Sequence, residues 1–146
     1  MSKHKDIIDA VKTTIDALAS PPTSVIRDRL VIQETDLTGL PKIVLTMGSE
    51  TDGPHTLAGD QFREYEVLIS IVYAQNQTLQ SGIDDAKGKR ELIRAALTPG
   101  PATSMPLLGV TGVWDCDVTN LPGQDQRLAE AGYERADLRA VFKCAE

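Results

Sequence analysis

The residues that could act as catalytic bases are few and widely spaced. His55 lies in a polar segment with Asp52 and Asp60, and a histidine beside a carboxylate could serve a small hydrolase as a general base. His4 lies close to the N-terminus, where a solvated side chain is the simpler expectation. A lone loop histidine is more often an exposed polar residue than a base, so a hydrolase stays open as an alternative.

Two groups of residues offer ligand atoms for a metal ion. Asp115 and Asp117 flank Cys116, but on a strand these carboxylates point away from the thiol. The second group, whose spacing fits no calcium loop, comprises Glu50, Asp52 and Asp60. The chain also has neither a glycine-rich phosphate loop nor a Gly-x-Ser-x-Gly elbow. We therefore predict no catalytic residue, no metal and no cofactor.

Composition limits the class of partner. The 146 residues suffice for a single domain, 1–146, and carry a net charge of −6. Because nucleic-acid affinity depends on basic side chains, an acidic chain is a poor binder of DNA, although it can line a surface along which DNA passes. There is no apolar run of membrane-spanning length and no signal-peptide core, so we expect a cytoplasmic protein in which Cys116 and Cys144 are buried thiols.

The strand predicted over Phe62–Ala74 organises the other elements. It has the longest period-two pattern in the chain, and one of its faces is entirely apolar or aromatic. That face, expected to pack against the helices, comprises Tyr65, Val67, Ile69, Ile71 and Tyr73. The other face begins with Glu66 and becomes apolar at Leu68 and Val72. The pattern indicates a central strand that is covered on one side and partly covered on the other.

Flanking patterns complete the element order α-β-β-β-α-β-β. A helix is predicted from about Lys5 to Ala19, and a second ends near Leu97. The other predicted strands are Ser24–Glu34, Lys42–Met47, Leu107–Thr119 and Tyr133–Cys144. We predict an α+β fold with a mostly antiparallel sheet of about five strands and two main helices on one face.

The same patterns predict three local features. The first two strands are expected to form a β-hairpin, and Gly48–Gln61 is expected to be a long polar loop. Trp114 has the same strand parity as Cys116 and is expected to share its face.

The apolar surplus on the second face of Phe62–Ala74 predicts a contact. Glu66, Leu68 and Val72 lie there, and a neighbouring subunit could cover them in an oligomer. The loop predicted over Asn120–Gly132 could cover them instead. The residues do not decide between these two, and a small-ligand-binding domain with a pocket between helix and sheet is a further alternative.

The layout resembles a family of bacteriophage proteins. The segment Leu40–Leu45, Leu-Pro-Lys-Ile-Val-Leu, follows a helix that ends at small residues and proline. A variable loop then leads into Tyr65–Tyr73, Tyr-Glu-Val-Leu-Ile-Ser-Ile-Val-Tyr, and a helix with Ile83, Leu92 and Ile93 precedes two closing strands. In this order and strand character the chain is similar to the tail-terminator and neck proteins of long-tailed phages, of the minor tail protein U type.

The resemblance implies a structural virion protein without enzymatic activity. Such proteins form rings, usually hexamers, that cap the tail tube and offer a docking surface for the head. Implied partners are further copies of the chain, the tail-tube protein and a head-completion protein, in particles assembled in the host cytoplasm. DNA would pass through the ring without specific binding. The segment with Glu50, Asp52, His55 and Asp60 would contact the tail tube or a neighbouring subunit.

Overall fold

The computed structural model describes residues 2–18, 23–27, 42–55, 61–74, 79–100, 106–121 and 133–145. The helices are α1 (Lys3–Asp16) and α2 (Leu79–Leu97), and a 3₁₀ turn spans Leu107–Gly109. The strands are β1 (Thr23–Arg27), β2 (Lys42–His55), β3 (Gln61–Ala74), β4 (Val113–Leu121) and β5 (Tyr133–Ala145). The predicted order of helices and strands is confirmed.

The strands form one five-stranded sheet in the order β1-β2-β3-β5-β4. The pairs β2–β3, β3–β5 and β4–β5 are antiparallel, whereas β1 runs parallel to β2. The predicted α+β class with a mostly antiparallel sheet is therefore confirmed. The long strand β3 lies at the centre, as its sequence pattern indicated, and pairs along its whole length with β5.

The hairpin predicted for the first two strands is wrong. β1 pairs with β2 in the same direction, with Thr23 opposite Lys42 and Arg27 opposite Thr46. A parallel pair needs a connection of roughly a dozen residues or more, and residues 28–41 supply that length. Side-chain alternation carries no information about strand direction, and the predicted extension of the first strand to Glu34 lies outside the described residues.

The loop predicted for Gly48–Gln61 is largely strand. β2 continues to His55 and β3 begins at Gln61, so Glu50 pairs with Tyr65 and Asp52 pairs with Arg63. Two irregularities in register, between Met47 and Glu50 and between Asp52 and His55, accommodate the glycines and polar residues. These residues have loop-like composition because the hairpin is exposed there, and Thr51 and Asp52 are both solvent-exposed.

Both helices pack on the same face of the sheet, the helix side. α1 begins after Ser2, whose hydroxyl accepts a hydrogen bond from the backbone N–H of Lys5 at 3.2 Å. The buried side chains of both helices join those of the sheet in one apolar cluster. Its members include Ile7, Ile8, Val11 and Ile15 of α1, Ile93 and Leu97 of α2, and Tyr65, Val67, Ile69 and Ile71 of β3. The predicted core face of β3 is therefore confirmed.

β4 begins later than predicted. Leu107–Gly109 form a 3₁₀ turn, and Gly112 has φ of +87°, a conformation that favours glycine. A Cβ at Gly112 would also lie 2.5 Å from the carbonyl oxygen of Ala145. The close approach lets the backbone N–H of Ala145 donate to the carbonyl of Gly112 at 2.9 Å, which fixes the end of β5 against the turn.

Candidate interaction surface

The face of the sheet opposite the helices, the outer face, has a polar centre. The Ser70 hydroxyl donates to Asp137 Oδ1 at 2.7 Å across the β3–β5 pair. Arg135 Nε donates to the same oxygen at 3.0 Å, and an Arg135 terminal nitrogen lies 2.8 Å from Asp137 Oδ2. Arg135 and Asp137 are both largely buried, so this is a dry, bidentate ion pair with a third hydrogen bond.

The same central region already buries Val72. Val44, Ser70 and Val72 are fully buried, and Asp137 is 5% exposed, in the single chain. Val72, one of the predicted interface residues, is therefore covered by its own chain. Leu68 is only partly buried.

Glu66, the third predicted interface residue, is held within its own sheet. The guanidinium Nε of Arg139 on β5 donates to Glu66 Oε2, and the backbone N–H of Ser49 donates to Oε1 at 3.4 Å. The Glu66 side chain lies across Gly48, where a Cβ would come within 2.2 Å of Oε1. Gly48 therefore gives the carboxylate room to reach across the bulge of β2.

His4 is buried, and the expectation of a solvated side chain is wrong. α1 starts at Lys3, so His4 lies one turn before Ile7 and Ile8 and shares their buried face. Its Nε2 lies 2.7 Å from the carbonyl oxygen of Glu66, and its ring centroid lies 5.3 Å from that of Tyr65. The spacing of His4, Ile7, Ile8, Val11 and Ile15 was the sequence signal for this position.

Of the predicted contact residues on the β2–β3 hairpin, Glu50 and Asp52 lie on the same side of β2, opposite Tyr65 and Arg63 of β3. Glu50 lies on the helix side, with Oε1 3.4 Å from Nδ1 of His4. Asp52 is paired with Arg63 at 3.2 Å. His55 ends β2, and Asp60 lies outside the described residues. Of the two carboxylates that the hydrolase alternative would offer to His55, Asp52 forms a solvent-exposed ion pair with Arg63.

An aromatic groove, the distal patch, lies on the outer face beyond Glu66. Trp114 is 46% exposed, and the ring of Phe62 meets it edge-on with centroids 6.5 Å apart. Lys143 Nζ lies 5.9 Å from the Trp114 ring centroid. The groove has a volume of about 210 Å³ and is lined by Gly53, Phe62, Arg63, Glu64, Trp114 and Lys143.

A β-bulge explains why sequence parity misplaced Trp114. The register of β4 against β5 shifts between Val113 and Asp115, so Trp114 is the additional residue. Val113 and Cys116 both face the helix-side core, whereas Trp114 is exposed. The expectation that Trp114 shares the face of Cys116 is therefore wrong, because one inserted residue reverses the alternation.

Charges beside the distal patch are paired and partly solvated. Lys143 Nζ lies 3.2 Å from Asp117 and 3.5 Å from Asp115. The hydrogen bond and charge of Asp117, with a smaller contribution from Asp115, raise the pKa of Lys143, so the ammonium stays charged. On the other side of β4, burial is the main cause that raises the pKa of Cys116 to about 12, with smaller contributions from Asp117 and Asp115.

Possible nucleophiles and metal ligands are few in the described part of the chain. Cys116 and Cys144 form no disulfide and are buried, so neither thiol is accessible as a nucleophile. Within the described ranges, no three histidine, cysteine or acidic side chains come together in a way that could hold a metal ion. In the same part of the chain, no helix has the length and apolar character needed to cross a bilayer.

Comparisons with known proteins found a likeness of fold. No protein-family model matches the sequence, and no curated protein matches it. A chain from the virion of a native gene transfer agent particle has a similar structure, with a TM-score of 0.56 and 16% sequence identity. The match covers 96% of this chain and 95% of that one. At this identity the match shows a common fold over nearly the full length of both chains.

Proposed function

We propose that this chain is a structural protein of a phage-like virion. The observation that carries the proposal is the fold match to a chain of a virion particle, which leaves only a few per cent of either chain unmatched. The resemblance of the sequence to tail-terminator and neck proteins is an independent argument for the same class. In this role the chain assembles into a ring, which we propose to be a hexamer. The ring caps the tail tube and joins it to the head.

The surface properties of the chain suit this role. A net charge of −6 disfavours tight binding to phosphate backbones, as a ring bore that lets DNA slide requires. The distal patch differs from an ordinary small-ligand pocket. The distal patch, at about 210 Å³, is smaller than the roughly 300–1,000 Å³ of ordinary ligand pockets and is open to solvent.

The outer face and the β2–β3 hairpin supply the proposed contacts. Glu66 and Leu68 remain partly accessible on the outer face and form the border of the proposed subunit interface, whereas Val72 lies beneath the covered centre. At the hairpin, Glu50 and Asp52 are exposed and are proposed to meet the tail tube or a neighbouring subunit. The proposed partners are further copies of the chain, the tail-tube protein and a head-completion protein.

Ring assembly on tail tubes tests this proposal. The purified chain is examined by size-exclusion chromatography with multi-angle light scattering, alone and at high concentration. It is then mixed with tail tubes from the same particle and imaged by electron microscopy. We expect a ring-sized species or a ring at the tube end. A chain that stays monomeric and leaves the tube ends bare contradicts the proposal, and the tube is included because some rings form only on their partner.

A further inference from the structure

We propose that the distal patch of one copy packs on the exposed face of α2 in a second copy of this chain. The inference rests on the ring proposed above and assigns the surfaces that build it. Trp114 would supply the aromatic anchor, and Leu92 would supply the apolar centre of the receiving surface. Exposed aromatic side chains beside grooves are frequent anchors of protein interfaces.

Exposure identifies both surfaces. In the described part of the chain, the exposed large hydrophobic side chains are Met47 at 40%, Leu92 at 47% and Trp114 at 46%. Leu92 lies between Gly88, one turn earlier, and Ala95, nearly one turn later, and all three are exposed. Spacings of three and four residues place them on one face of α2. The small neighbours leave Leu92 raised above a flat surface, on which the aromatic side chain of Trp114 could pack.

The two surfaces point in opposite directions. Ile93 and Leu97 of α2 are fully buried against the sheet, and the face with Leu92 lies on the other side of the helix. Trp114 lies beyond the opposite surface of the sheet, on the outer face. A contact between them therefore joins copies head to tail. Head-to-tail contacts generate closed rings when the rotation between copies closes, whereas a patch that meets its own copy yields only a dimer.

Charge favours a second copy as the occupant. The distal patch and its border carry more acidic than basic side chains: Glu64, Asp115 and Asp117 against Arg63 and Lys143. Near Leu92, Lys89 and Arg90 are basic, whereas Arg94 pairs with Glu91 at 3.6 Å and donates to the Val118 carbonyl of its own chain. Opposite potentials steer the two surfaces together, and the excess of acid disfavours contact between two distal patches.

Cross-linking between two variants that each carry one added cysteine tests the contact. Trp114→Cys and Leu92→Cys are made in chains of different tag length, assembled on tail tubes and treated with a short bismaleimide. We expect a cross-linked product that contains one chain of each kind, and no cross-linked pair from either variant alone. The wild-type chain is the background control because its two cysteines are buried. Met47→Cys mixed with Leu92→Cys is the matched control at an exposed apolar residue outside the patch.

The outcomes separate this inference from the proposed function. If rings form on tail tubes but the mixed variants give no more cross-link than the Met47 control, the inference is overturned and the ring stands. A cross-link between two copies of the Trp114→Cys variant also overturns it, because that contact is not head to tail. If wild-type chains never form rings on tubes, the proposed function fails, and the inference fails with it.

Fluorescence of the wild-type chain gives a second measurement that needs no substitution in the patch. Trp114 is the only tryptophan, so intrinsic emission reports this surface alone. We expect a shift to shorter wavelength and a loss of quenching by acrylamide when the chain assembles. Leu92→Glu, at an exposed position, should leave the monomer emission unchanged and abolish both effects. Assembly without any change in emission contradicts burial of Trp114.

Discussion

The two faces of one sheet are built in different ways. On the helix side, Val67, Ile69 and Ile71 of β3 are fully buried in one apolar cluster with both helices. On the outer face, the neighbouring residues Glu66 and Ser70 make ion-pair and hydrogen-bond contacts instead. Since successive residues of a strand point to opposite sides, a single strand contributes both to the core and to a polar surface.

The outer face is itself divided into a covered centre and an open end. Its centre, around Asp137 and Val72, is dry within the single chain, whereas its far end at Trp114 and Phe62 is open. Burial of the centre removes Val72 from the surface that a neighbour can reach. The open end, where aromatic rings and charged side chains are accessible, is therefore the part of this face that we propose as the recognition surface.

Substitution of the two phenylalanines should give the largest difference in stability between the two faces. Phe142 is fully buried on the helix side, and Phe62 lies partly exposed in the distal patch. Phe142→Ala should lower the free energy of unfolding by about 4 kcal/mol because it removes packed ring atoms and leaves a cavity. Phe62→Ala should cost about 1 kcal/mol or less because its ring is already partly solvated.

Urea denaturation of both variants, followed by far-ultraviolet circular dichroism, measures the two losses in the same chain. The substitutions are chemically identical, so the difference between them reports the environment alone. Equal losses would show that the outer face contributes a core of its own, and the division into a structural face and a recognition face would then fail.

Substitution of two aspartates allows the stability contributions of the closed and open parts of the outer face to be compared. Asp137 is 5% exposed and paired with Arg135, whereas the side chain of Asp117 is 64% exposed and paired with Lys143. Asp137→Ala removes the buried carboxylate that pairs with Arg135 and accepts from Ser70, and should cost about 3 kcal/mol. Asp117→Ala removes a solvated pair and should cost about 0.5 kcal/mol. Thermal unfolding of the two variants at neutral pH gives the comparison, and a loss for Asp117→Ala as large as that for Asp137→Ala would contradict it.

Much of the fold followed from side-chain periodicity. The alternation in β3 and the four-residue spacing of Ile7, Val11 and Ile15 identified the buried faces correctly. Periodicity failed where geometry depends on pairing rather than on side chains. The parallel direction of β1 is set by its alignment with β2. Strand structure at Glu50 and Asp52 is set by pairing with β3, against a composition typical of loops.

The candidate site was harder to predict because it depends on one inserted residue. Without the bulge, Trp114 would share the core face with Cys116, as strict alternation indicates. Nothing in the local sequence marks that insertion. The groove also requires Phe62 and Lys143, which lie on two other strands and meet only through the register of β3 and β5. Glu66 and Leu68, by contrast, were placed on the outer face from sequence alone.

The alternation of buried and exposed residues along β4 predicts the smallest effect on stability. Cys116 is buried between Asp115 and Asp117, whose carboxylates lie on the other side of the strand with Lys143. Burial raises the pKa of the Cys116 thiol from an ordinary value of 9.0 to about 12. The folded chain thus keeps a proton that the unfolded chain releases as the pH rises above 9. Stability from this thiol is complete below pH 9 and is lost between pH 9 and about 12.

At pH 10 the loss should be about 1 kcal/mol relative to pH 7, measured by urea denaturation at both values. Cys116→Ala is the control because it keeps every other group that titrates in this range, including Lys143 and Cys144. The wild type should lose more stability than the variant over the same interval. Parallel losses would show that the thiolate of Cys116 is tolerated in the fold. The helix side of β4 would then be wetter than the burial of Val113 and Cys116 implies, and the contrast between the two faces would not extend to this edge of the sheet.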